Sequence, residues 1–291
     1  MHMPTMFLWA LVSTLVMFHI AFFIAQKKKD FSVVDSFWGL GFAVTAVVLF
    51  VLNLVLRGTF DGPTFFLTLL VLVWGVRLSM HIYNRNKGKK EDYRYQQMRQ
   101  NWGENATRNG YFKIFLGQAA LQYVIALPII LINAYPGSPS YGTPVMWVGI
   151  VIWLIGFYFQ VVGDAQLKTF IRKPSNKGRV MSSGLWRYTR HPNYFGESAM
   201  WTGLGLLALS STTSVGWFAL VSPVVITVLL LFISGVPLLE KQMEKSRGKE
   251  WQLYKKKTSK FFPLPPDKSI IVSREKDEMM DLDPDAIRRT K

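Results

Sequence analysis

The chain has 291 residues, half of them hydrophobic, no cysteine, and 34 Lys and Arg against 18 Asp and Glu, for a formal net charge of +16. Its apolar residues gather in runs of about 20 with the charges between them, which excludes an ordinary soluble domain and predicts an all-α, polytopic membrane protein. The missing thiols exclude disulfides and thiolate chemistry, and basic charge set beside apolar spans rather than on a polar body excludes nucleic-acid binding.

Seven spans are expected, at 6–25, 33–56, 64–83, 112–134, 144–165, 194–210 and 214–239. The first runs straight into Lys27, Lys28 and Lys29 without a basic segment before it, so it reads as a span with a stop-transfer run rather than a cleaved signal peptide. The second starts near Ser32 and carries Asp35 close to its start; the third carries Arg77. After the fourth, the stretch from Tyr135 to Pro144 is dense in Pro, Gly and Ser and predicts a short external loop. Basic segments at 84–111 and 166–193 flank the fourth and fifth spans. With the amino terminus outside, these segments, the early lysines and the end of the chain lie inside, and the opposite connections hold only Arg57. Residues 1–266 are expected to form one integral membrane domain, with a cofactor half at about 144–266, and 267–291 a disordered cytoplasmic tail.

Ionisable groups inside spans are costly in hydrocarbon and mark functional sites or internal pairs. Asp35 also suits a cap on the second helix, and Arg77 a snorkelling side chain. Glu197 stands apart because it ends the polar run from Gly184 through Arg190, His191, Pro192, Asn193 and Tyr194. Pro192 and Gly196 interrupt the backbone there, and irregular backbone at membrane depth requires a protein-lined cavity. The segment before it supplies Asp164, Lys168, Arg172, Lys173, Lys177, Arg179 and Arg187, a donor set suited to phosphates and ribose hydroxyls. None of His2, His19, His81 and His191 has a partner at a metal-binding helical spacing, so no metal site is expected.

The blocks VDSFWG at 34–39, WGVRLSMHIYNRNKGKKEDYRY at 74–95, GDAQLKTF at 163–170, GLWRYTRHPNYFGE at 184–197 and SGVPLLE at 234–240 come in a telling order, closed by Tyr254 and Phe261-Phe262-Pro263. Together they resemble the steroid 5-alpha-reductase superfamily, above all its bacterial-type branch with the RHPNYFGE element. The resemblance implies a seven-helix enzyme that binds NADPH from the cytoplasmic side and reduces an activated carbon–carbon double bond, an enone, in a steroid-like or other lipid. It places cofactor contacts at Asp164, Lys168, Asn193 and Glu197, with Arg190, His191, Tyr194 and Tyr254 in the same motifs. It further implies phosphate contacts from Asn86, Lys87 and Lys89, and puts Arg172 one place from a second expected basic residue. At the substrate end, Asp35 is the acid nearest the position of the family's substrate-polarising Glu, and Trp74 stands where its Tyr would fall. The chain has no GxGxxG element, so NADPH would bind here without a Rossmann domain.

The chief alternative is a membrane methyltransferase of the isoprenylcysteine carboxyl methyltransferase type, using S-adenosylmethionine. Asn193, Glu197 and a single Glu240 followed by Lys241 speak against that pattern. A transporter is the third reading, and no internal repeat supports it. The expected partners are a hydrophobic small molecule and the lipid bilayer.

Overall fold

A computed structural model of the protein describes residues 3–58, 60–135, 143–211 and 214–267. Among these no strand occurs, and the helices are α1 (Met3–Lys28), α2 (Val33–Arg57), α3 (Gly62–Asn86), α4 (Tyr93–Trp102), α5 (Ala106–Asn109), α6 (Gly117–Ile125), α7 (Leu127–Ala134), α8 (Pro144–Arg172), α9 (Pro192–Ser211), α10 (Val221–Val228) and α11 (Val236–Lys257). The expected polytopic helical architecture is therefore present. Five stretches are long and apolar enough to cross a membrane: α1, α2, α3, α8 and the run Val215–Lys257. A sixth results if Tyr93–Ile125 and Leu127–Ala134, bent by 50°, form one broken span. Pro128 in the first turn of α7 accounts for the bend, because it lacks an N–H and its ring clashes with the preceding turn. The span expected at 194–210 is α9, which is 20 residues long but outside this set. Asn193 and Glu197 in its first turns dilute its apolar character. The external loop expected at 135–144 lies outside the described residues over 136–142, and the expected tail lies outside them from 268 onward.

The chain divides into two compact units, the first comprising residues 1–153 and 201–226 and the second 154–200 and 227–291. In the first unit α2 packs against α1 and α3. Gly58 ends α2 in the left-handed conformation, φ 68°, with its N–H on Leu54 O at 2.9 Å. Asp61 then caps α3 by accepting from Thr64 N at 2.9 Å, with a Pro in the opening turn. Close approach of α2 and α3 depends on Gly39 and Gly75: a Cβ at Gly39 would stand 2.5 Å from Gly75 O. Polar side chains inside the unit pair across helices, Ser13 Oγ with Thr45 Oγ1 at 3.0 Å and Gln122 Nε2 donating to Trp38 O at 2.8 Å. The outward faces carry Leu8, Phe23, Val55, Phe66 and Met80, an apolar exterior suited to hydrocarbon.

The second unit joins the later part of α8 to the start of α9 and to α11. Gly156 faces Gly196, where a Cβ on Gly156 would meet Gly196 O at 2.5 Å. The segment after α11 is held by backbone bonds: Arg190 N donates to Ser259 O at 2.9 Å and Leu264 N to Tyr188 O at 3.0 Å.

Candidate functional site

In the second unit, residues 160, 164, 168 and 172 recur at every fourth position of α8, so Gln160, Asp164, Lys168 and Arg172 share one helix face. On α9, Asn193 and Glu197 repeat the same spacing. The two rows meet as a ladder: Gln160 Nε2 donates to Glu197 Oε2 at 3.0 Å, and Asn193 Nδ2 to Asp164 Oδ1 at 3.1 Å. Gln160, Asp164 and Glu197 are all buried. A buried carboxylate is tolerated only with hydrogen bonds to its oxygens, and the ladder supplies them. Asn193 Oδ1 in turn accepts from Tyr194 N at 3.1 Å, which fixes the amide's orientation. Beyond Asp164, Lys168 and Arg172 carry the face onward as exposed cations.

A second polar cluster in this unit centres on Glu240. Its Oε1 accepts from Arg190 Nε at 2.9 Å and lies 3.1 Å from His191 Nε2. Arg190 Nη1 donates to Lys255 O at 3.0 Å and Thr258 O at 2.7 Å, so this buried guanidinium ties the signature to the end of α11. Burial holds the His191 imidazole below its ordinary pKa, against the opposing pull of Glu240. Its ring stacks on Tyr194 with centroids 5.6 Å apart. Tyr254 donates to Trp186 O at 2.5 Å, and Trp186 Nε1 to Gly163 O at 3.0 Å. Arg190 and Tyr254, expected from the resemblance as cofactor contacts, thus spend these donors on the chain itself and position the residues around them.

Asp35, Trp74, Asn86, Lys87 and Lys89 belong to the first unit. The Asp35 carboxylate, in the first turn of α2, faces α4 rather than capping its own helix. It accepts from Tyr95 Oη at 2.6 Å and from Arg94 Nη2 at 3.4 Å. Arg94 also bonds Asp92, the N-cap of α4, at 2.9 Å from Nε. Trp74 packs instead with Phe42 and Trp201. Lys87 and Lys89 are exposed at the end of α3, where Lys87 N donates to Tyr83 O at 2.8 Å and Lys89 N to Asn86 O at 3.0 Å.

Sequence reasoning missed Gln160 and Tyr95. Gln160 was detectable, since it stands one turn before Asp164 on the same face. Tyr95 was not, because nothing in a basic connection announces a helix that returns its phenol to Asp35, 60 residues away.

Over 260 residues the chain is 24% identical to an uncharacterized protein of Schizosaccharomyces pombe, covering 80% of this chain and 68% of that protein. It is 34% identical over 68 residues to 3-oxo-5-alpha-steroid 4-dehydrogenase 1 of Mus musculus, 23% of this chain and 26% of that one. Over 70 residues it is 31% identical to a probable O-methyltransferase of Ustilaginoidea virens, 24% of this chain and 25% of that protein. The chain therefore matches only about a quarter of either enzyme's length. No solved structure matches it. Residues 21–258 match the family described as Protein of unknown function (DUF1295), and the chain belongs to that family.

Proposed function

We propose that the protein is a membrane-embedded, NADPH-dependent reductase of an activated carbon–carbon double bond in a hydrophobic, steroid-like substrate. The observation that carries this reading is the buried α8–α9 ladder of Gln160, Asp164, Asn193 and Glu197, continued by Lys168 and Arg172. The similarity to 3-oxo-5-alpha-steroid 4-dehydrogenase 1 supports it. The residues fit a dinucleotide. Carboxylates at Asp164 and Glu197 accept from hydroxyl and amide donors, and cations at Lys168 and Arg172 answer phosphates. When bound, NADPH supplies the hydride. Asn193 and Gln160 hold the two carboxylates in place, so the polar face is ordered before a ligand arrives. Arg190 and Tyr254 position the signature from behind. Asp35, fixed by Tyr95 and Arg94, and the buried indole of Trp74 are the groups proposed for the substrate end.

The similarity to a probable O-methyltransferase favours a second reading, transfer of a methyl group from S-adenosylmethionine. A thermal-shift comparison of NADPH, NADH and S-adenosylmethionine on the detergent-purified protein separates the two, because a ligand that binds the folded state raises its apparent stability. NADPH is expected to raise the midpoint. A rise with S-adenosylmethionine alone would overturn the reductase reading in favour of methyl transfer.

A further inference from the structure

The apolar run from Val215 reaches its last apolar turn in the second unit, the π-helical stretch Leu229–Ile233, where Phe232 is 67% exposed. Lys260 returns to that level from beyond α11: its Nζ lies over the Phe232 ring, 5.8 Å from the centroid. After it the chain alternates, with Phe261 buried and Phe262 and Leu264 exposed by 65% and 55%. The Phe262 ring meets Phe195, in the first turn of α9, with centroids 6.2 Å apart. Three large apolar side chains thus stand outward beside a lysine, at the depth where an apolar run gives way to polar chain.

The α11 helix adds charge to this surface. Past its kink at Gly248, Trp251 and Tyr254 pack against Val180, which leaves Lys249, Gln252, Leu253 and Lys256 exposed. From Lys241 to Lys260 the chain carries eight Lys and Arg against Glu244 and Glu250 alone. Glu250 is already engaged, accepting from Val180 N at 2.9 Å. A soluble polyanion would account for the lysines but not for the apolar side chains among them. A bilayer surface accounts for both, because aliphatic and aromatic groups enter the acyl boundary while ammonium groups stay among the phosphates.

We propose that Lys256, Lys260, Phe262 and Leu264 form a docking surface for the headgroups of anionic phospholipids, seating the end of α11 on the bilayer. The same segment clasps the signature, through Arg190 N on Ser259 O at 2.9 Å and Leu264 N on Tyr188 O at 3.0 Å. Seating on lipid therefore steadies the residues that adjoin the ladder. The inference does not depend on the reductase reading, and its test uses no cofactor.

The chain has no cysteine, so Leu264→Cys accepts a single bimane label, an apolar ring in place of an apolar side chain. The labelled protein is placed in nanodiscs of phosphatidylcholine, or of phosphatidylcholine and phosphatidylglycerol in equal parts, with a nitroxide on the acyl chains as quencher. Quenching is expected in both discs and should be stronger with phosphatidylglycerol. A lysine near an anionic surface contributes about fivefold to the ratio of seated to unseated segment. Lys256→Gln combined with Lys260→Gln should therefore erase most of the difference between the discs. Lys27→Gln combined with Lys28→Gln, exposed at the end of α1, should keep it. No quenching in either disc overturns the proposal, as does equal quenching in the two, or a Lys256 and Lys260 double variant that keeps the difference. If that double variant is not monodisperse, each single substitution decides by the same comparison. If an oligonucleotide added at physiological salt releases the segment from the phosphatidylglycerol discs, the lysines serve a soluble polyanion and the lipid assignment fails.

Discussion

His191 shares one carboxylate oxygen of Glu240 with Arg190, whose Nε lies 2.9 Å from it. Because the guanidinium already compensates that carboxylate, protonating the imidazole gains little there, and burial keeps its pKa below the ordinary value. The folded protein thus resists a proton that the unfolded chain accepts at about 6.5. Stability tied to His191 is therefore complete above that pH and is lost as pH falls through it towards the lower folded-state value. Melting midpoints between pH 8 and pH 5 should fall more steeply for wild type than for His191→Asn; parallel curves would refute the assignment. Glu197 makes a separate test, since Glu197→Gln keeps shape but removes the charge. The variant should stay monodisperse while NADPH affinity falls about ten- to a hundredfold, corresponding to about 1.5–3 kcal/mol for a hydrogen bond to a charged group. Unchanged affinity would return Glu197 to a purely structural role beside Gln160. Asp164, Asn193 and Glu197 could be picked out in the sequence because they sit in contiguous motifs. The partners that fix them could not all be found so, since contacts such as Asn193 with Asp164 or Arg190 with Glu240 join residues 29 and 50 positions apart.

At the scale of elements, helices were legible from apolar run length, but their register was not. Hydrophobicity locates the fifth span and says nothing of which side of α8 meets α9. The glycines settle that. A Cβ on Gly156 would stand 2.5 Å from Gly196 O and 2.7 Å from Met200 N, both backbone atoms that cannot swing aside. Gly156→Ala should therefore destabilise by about 1–3 kcal/mol, the usual cost of overpacking. Gly117→Ala is the matched control, because its nearest neighbour, Phe112 O, lies 3.9 Å away. That substitution in a helix should be neutral or stabilise by up to about 1 kcal/mol. Melting midpoints in one detergent compare them, and equal midpoints would mean that the α8–α9 contact is not close-packed in the folded protein. The α11 helix exposes the opposite failure of the sequence reading. Its polar length from Glu240 to Lys257 has no apolar periodicity, yet it is helical on both sides of a kink at Gly248, φ 50°, and brings Glu240 and Tyr254 to the signature.

For the whole molecule the decisive issue is whether α9 crosses the membrane. Within the second unit, Leu264 N bonds Tyr188 O, and Arg190 bonds the carbonyls of Lys255 and Thr258. Residues on either side of the 190–255 stretch must then lie on the same face of the bilayer, which requires an even number of crossings between them. The run from Val215 contributes one crossing by its apolar length. We propose α9 as its return partner, since its 20 residues at about 1.5 Å each would span about 30 Å, the thickness of the hydrocarbon core. The polar ladder at its start lowers its mean hydropathy, and the same residues pair with α8 instead of meeting lipid. On that proposal, the positive-inside rule predicts Phe60 and Trp217 near the outer surface and Lys89, Lys177 and Lys256 near the inner one. The chain has no native cysteine, so each position can carry a single reporter thiol. On intact cells, a membrane-impermeant maleimide should label Phe60→Cys and Trp217→Cys, and reach Lys89→Cys, Lys177→Cys and Lys256→Cys only after permeabilisation. If Lys177→Cys and Lys256→Cys were labelled from opposite sides, α9 would not cross and the contacts between Arg190 and the end of α11 could not exist in the membrane.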